Sequence, residues 1–148
     1  MKNLLMVVFI GLAGMVLGAE PYVLYVSPTG DDSNAGLSEQ SPLRTINKAV
    51  GMLEAQSDID DVGGKVYLLD GTYSEEVSQY PLTDNLSNTA VVVTHPISVE
   101  GFSKDASKVK VKKLDNKVVY RQFLLNHPQS AIRYLTLESG DAGKNPGG

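Results

Sequence analysis

The chain has 148 residues, 42% of them hydrophobic, with 13 basic against 17 acidic residues and a formal net charge of −4. That balance argues against a broad nucleic-acid-binding surface, which needs a basic face. The sequence contains no Cys, which excludes disulfide staples, a thiolate nucleophile and Cys-based zinc sites and leaves burial and backbone hydrogen bonds to hold the fold.

The chain opens "MKNLLMVVFIGLAGMVLGAE": Lys2, a nearly unbroken apolar run from Leu4 to Leu17, then the small residues Gly18 and Ala19. That order reads as a secretory signal peptide over residues 1–19. The run of 14 residues is short of the ~20 that a membrane helix needs, so no membrane span is expected after cleavage. The expected location is secreted, cell-surface or periplasmic. Removing residues 1–19 takes away Lys2 and leaves residues 20–148 with 12 basic and 17 acidic side chains, a net charge of −5.

"YVLYV" at 22–26 is β-branched and aromatic, a strand. "SPTGDDSNAG" after it is turn chemistry. Next comes "SPLRTINKAVGMLEA", with Ser41 as N-cap and Pro42 at the first helical position. Ile46, Ala49, Val50 and Leu53 follow the i, i+3, i+4, i+7 spacing of a one-faced helix. It is the one convincing helix after residue 19. Short strands follow: "KVYLLDGTY" (65–73), "AVVVT" (90–94), "ISVEGF" (97–102), "KVKVKKL" (108–114), "VVYRQFLLN" (118–126) and "AIRYLTLESG" (131–140). Several are apolar at almost every position, which suits strands buried by stacking. An internal echo runs through them. "VVVTHP" from Val91 and "FLLNHP" from Phe123 place His95-Pro96 and His127-Pro128 32 residues apart, a period of the order seen in solenoids.

The stretch from Tyr25-Val26 through Gly30–Gly36, Pro42–Ala49 and Asp70-Gly71-Thr72-Tyr73 resembles the N-terminal part of secreted right-handed parallel β-helices of the pectate-lyase-like kind. "ISVEGF" and "AIRYLTLESG" are similar to the rungs of such helices. The chain departs from the pattern at Gly63-Gly64-Lys65 and in the long insertion after Tyr73. The resemblance implies an all-β fold. It would be a pectin-lyase-like solenoid with an N-terminal cap carrying one short amphipathic helix, followed by the first two or three coils in residues 20–148. The polar tail "DAGKNPGG" adds the expectation of further coils beyond Gly148.

The chemistry is thinner than the architecture. Asp31, Asp32 and Asn34 are oxygen ligands in a loop loosely like a calcium loop, without its distal Glu. The competing reading is a turn whose side chains bond its own backbone. Lys108, Lys110 and Lys112 alternate with Val109 and Val111, which puts the lysines on one face. That face is either simply solvated or a cationic strip for an acidic polysaccharide. His95 and His127 read as corner residues or, stacked on successive coils, as a metal pair. Arg121 and Arg133 read as isolated surface residues. No cluster of carboxylates with a neighbouring base, and no hydrolase or phosphate-loop motif, is present. No catalytic residue is therefore assigned. The resemblance implies an extracellular scaffold, adhesin or carbohydrate-binding domain within a larger protein. The alternatives are the front end of a polysaccharide lyase or hydrolase whose catalytic coils lie elsewhere, and a small complete protein.

Overall fold

The computed structural model describes residues 19–74, 89–112 and 121–138. Residues 1–18, most of the insertion after Tyr73 and the ends of three expected strands (113–114, 118–120 and 139–140) lie outside the described residues. The protein is mainly β, with parallel sheets and few helices. Its elements are β1 (Tyr22–Val26), α1 (Ile46–Glu54), α2 (Ile59–Val62), β2 (Gly64–Leu68), β3 (Gly71–Ser74), β4 (Thr89–Val93), β5 (Ile97–Gly101), β6 (Val109–Lys112), β7 (Arg121–Leu125), β8 (Ala131–Arg133) and β9 (Thr136–Glu138). Among the described residues, no helix is long and apolar enough to cross a membrane.

The strands form three sheets: β1-β2-β5-β8 (sheet A), β3-β6-β9 (sheet B) and β4-β7 (sheet C). Every pairing is parallel. From β2 onward the chain visits A, B and C in turn, returns to A and repeats. In sheet A the register joins Gly64 to Ile97 and Ser98 to Ala131, a spacing of 33 residues both times. Sheet C joins Thr89 to Arg121, a spacing of 32, so the echo seen in the sequence is a true stacking period. The extra residue enters at the corner between β7 and β8, beside His127-Pro128. Sheet B is uneven: Gly71 pairs with Val109 and Lys110 with Thr136, spacings of 38 and 26. The difference is absorbed between sheets A and B, where seven residues (102–108) join β5 to β6 but only two (134–135) join β8 to β9.

Side chains alternate across each strand. Leu24, Val66 and Val99 point inward and stack in register, as do Tyr73 with Val111 and Val91 with Phe123. Ile46, Ala49, Val50 and Leu53 are all buried, as the helical spacing requires. α1 lays them against β1, β2 and β4. Burying a Leu of this kind is worth about 1.5–3 kcal/mol in apolar area.

Three local expectations change. The helix starts at Ile46 with Thr45 as its N-cap, the Thr45 hydroxyl accepting from the Lys48 N–H. Ser41 and Pro42 stay outside it because Leu43 is extended, bridging to Val26, with its N–H on the Tyr25 carbonyl. "KVYLLDGTY" and "AIRYLTLESG" are not single strands. Each bends from sheet A to sheet B, at Leu69-Asp70 and at Tyr134-Leu135. Gly71 takes a φ of +153° as it enters β3, and Tyr134 turns its corner at +55°. The four-residue α2 is too short to show a helical period and was not foreseen.

Candidate functional site

The outer face of sheet A gathers the most chemistry. Tyr25, Tyr67, Glu100 and Arg133 occupy one outward position on four successive strands. Strand alternation puts them opposite the buried Leu24, Val66 and Val99. Phe102, just past β5, completes a three-ring cluster. Its centroid lies 5.6 Å from Tyr25 and 5.4 Å from Tyr67, and the two tyrosines are 5.7 Å apart. The rings meet tilted or edge-on, the arrangement their quadrupoles favour, worth about 0.5–1.5 kcal/mol per pair beyond area. All three remain partly exposed.

Beside the rings, the Arg133 guanidinium donates to Glu100 Oε1 at 2.8 Å. Burial pushes the Glu100 carboxyl up. The Ser98 hydroxyl, the Arg133 guanidinium and the charge of Lys65 outweigh it and hold the group below the usual carboxylate range. Arg133 is therefore not the isolated residue its sequence context implied, whereas Arg121 is exposed. The face combines aromatic surface, an anchored carboxylate and two cations. It can hold a polar ligand with a flat apolar side, and its carboxylate, Glu100, is committed to Arg133.

The lysines stand as their alternation requires, with Val109 and Val111 buried and Lys108, Lys110 and Lys112 outward. Each lies near a carboxylate. Lys108 lies 3.9 Å from Asp70, and Lys110 and Lys112 share Glu138 at 3.2 and 3.4 Å. The hydrogen bond from Lys110 leads the effects holding the Glu138 carboxyl low.

Asp31, Asp32 and Asn34 fasten the loop to the start of the cap. Asp32 accepts from the N–H groups of Arg44 and Thr45 and from the Thr45 hydroxyl, all at 2.9 Å. Asp31 accepts from the Ser33 N–H, and the Asn34 amide donates to the Pro42 carbonyl. The backbone bond from Ser33 is the first cause of the low Asp31 carboxyl. Among the described residues, no group of three or more His, Asp or Glu side chains is placed to hold a metal.

His95 and His127 sit at the two corners leaving sheet C. The buried Glu54 carboxylate at the end of α1 accepts from the Thr94 N–H at 2.7 Å and from its hydroxyl at 2.9 Å. With that hydroxyl proton committed, His95 Nδ1, 3.0 Å from the same oxygen, is placed as its donor. This chain ties the cap helix to the β4–β5 corner. At His127 the polarity is reversed, because Nδ1 accepts from the Gln129 N–H.

The aromatic ladder escaped the sequence reading because Tyr67, Glu100 and Arg133 are unremarkable one at a time. The signal was there: each is 33 residues from the next, and only the coil period makes that spacing meaningful. No family model, curated protein or solved structure matches this chain.

Proposed function

We propose that this chain is the capped N-terminal part of a right-handed parallel β-helix of the pectate-lyase-like kind, exported through its signal peptide. In this reading it serves as an extracellular scaffold whose sheet A face binds polysaccharide. The observation that carries the reading is the Tyr25–Tyr67–Glu100–Arg133 ladder, held in register on consecutive parallel strands. The repeating A, B, C order supports a solenoid, and parallel crossovers within one sheet are right-handed in about 98% of cases. A helix across one end is the cap that solenoids need.

Affinity electrophoresis tests the proposal, with the chain run through gels containing an acidic polysaccharide such as polygalacturonate or a neutral one. Retardation in at least one gel, weakened by Tyr67→Ala and unaccompanied by unsaturated sugar product, is the expected result. Unimpeded migration in every gel would remove the carbohydrate role. Release of unsaturated product from polygalacturonate would replace the scaffold with a lyase.

A further inference from the structure

The sequence contains no cysteine, so a covalent tie between strands has to come from other side chains. Tyrosine can supply one. A one-electron oxidant turns its phenol into a radical with spin on the ring carbons beside the oxygen, and two such rings in contact can join by a carbon–carbon bond. The chain has 7 tyrosines, of which Tyr80 and Tyr120 lie outside the described residues. Among the described residues, Tyr25 and Tyr67 are the one tyrosine pair whose rings meet. They are register partners on the adjacent strands β1 and β2, and neighbouring strands lie only about 4.8 Å apart. Their centroids are 5.7 Å apart with the planes tilted by 41°, within the range of aromatic contact. Phe102 stands edge-on to both, at 5.6 and 5.4 Å, and has no phenol to oxidise. Both tyrosines are partly exposed, within reach of an oxidant. The others are placed differently. Tyr22 donates to Asp58 and has Gly64 as its strand partner. Tyr73 is buried, with its hydroxyl on the Val26 carbonyl. Tyr134 turns the corner between β8 and β9.

We infer that Tyr25 and Tyr67 form an oxidative crosslinking site, at which hydrogen peroxide and a haem peroxidase convert the pair into an intrachain dityrosine. Each phenol gives up one electron and one proton, and together these reduce one peroxide to two waters. The two radicals couple through one ring carbon beside each oxygen. Each of those carbons then loses its hydrogen as a proton while the oxygen regains one, which restores both phenols. The product is two hydrogen atoms lighter than the parent. The new bond ties β1 to β2 and encloses the polar loop, α1 and α2, all of which lie between residues 25 and 67. It therefore staples the cap to the first coil, restricting the unfolded chain as a disulfide does. The inference rests on the ring geometry and is independent of the polysaccharide proposal.

Treating the purified protein with a haem peroxidase and limiting hydrogen peroxide tests it. The monomer fraction is then read for dityrosine fluorescence, intact mass and the linked residues by peptide sequencing in a mass spectrometer. The expected result is a monomer two hydrogen atoms lighter, joined at Tyr25 and Tyr67. Tyr25→Phe and Tyr67→Phe keep the rings and should each lower the yield at least tenfold, whereas Tyr134→Phe should leave it unchanged. The crosslinked chain should also unfold at a higher urea midpoint than Tyr67→Phe treated in the same way. Absence of dityrosine from the monomer fraction would overturn the inference. So would a yield that survives either Phe variant, a bond mapped to another pair, or an equal yield when the chain is oxidised in urea. An unchanged midpoint would overturn the stapling role.

Discussion

β5 and β8 are consecutive rungs of the same sheet in the same register, yet they live in different surroundings. Every residue of β5 is buried, whereas β8 has none buried and Arg133 exposed. Nothing in the shorter strand is less suited to a core: Ile132 stands where Val99 stands, one rung on. The difference comes from the neighbours. Among the described residues, β5 has a strand on each side and β8 has a strand on one. In a stack of this kind, burial belongs to the interface between rungs, so stability is a sum over neighbours rather than a property of one strand.

Four changes would break or sharpen that contrast. The largest effect is expected at the covered end. Leu53→Ala removes a buried side chain from the cap helix and should cost about 2–5 kcal/mol in urea unfolding. A loss below about 0.5 kcal/mol would show that α1 is not what covers that end. The second lies between the two rungs. A Cβ added at Gly101 would run into the carbonyl oxygen of Tyr134 on the next rung. Gly101→Ala should therefore cost about 1–3 kcal/mol by overpacking, and an unchanged urea midpoint would mean that the last rung yields freely.

The third concerns the Glu100–Arg133 pair, a charge contact that joins β5 to β8. The folded chain holds the Glu100 carboxyl below its ordinary value, so the unfolded chain takes up the proton first as pH falls. The stabilisation is present above the unfolded value, about 4.3 for glutamate, and is lost as pH falls through the folded one. Urea midpoints followed from neutral to acid pH should fall less steeply in Arg133→Met than in the parent. Superimposable curves would show that the pair carries no proton linkage. The smallest effect is expected at β9, the last described strand of sheet B. Leu137→Ala, at a position 47% exposed, should change stability by no more than about 0.5 kcal/mol, the usual range for surface positions. A loss as large as that of Leu53→Ala would abolish the contrast between the ends.

What the sequence made legible was whatever depends on short-range periodicity. The helix face at Ile46, Ala49, Val50 and Leu53 and the Lys/Val alternation of β6 are both as expected. So are the His-Pro corners, because the same local pattern occurs twice at the stacking period. The bend at Tyr134 was hidden because a tyrosine at φ +55° carries no turn signature. The start of α1 was hidden because Ser41-Pro42 is a good local cap. It is overridden from a distance by Asp32, which holds the Arg44 and Thr45 N–H groups. The sheet A face needed the coil period before its members could be seen as neighbours at all.

The uneven spacing of sheet B has a practical consequence. Sheet A keeps a 33-residue step through both of its last two rungs, although the connection to sheet B shrinks from seven residues to two. Length at that corner is thus uncoupled from the ladder, and the residues of 102–108 are all exposed. A foreign peptide spliced between Ser103 and Lys104 would be carried as an external loop while the rungs above and below kept their partners. The cost of lengthening such a loop grows only logarithmically, about 0.6 kcal/mol per doubling. The corner is a natural place to display a tag, an epitope or a second binding segment without redesigning the core.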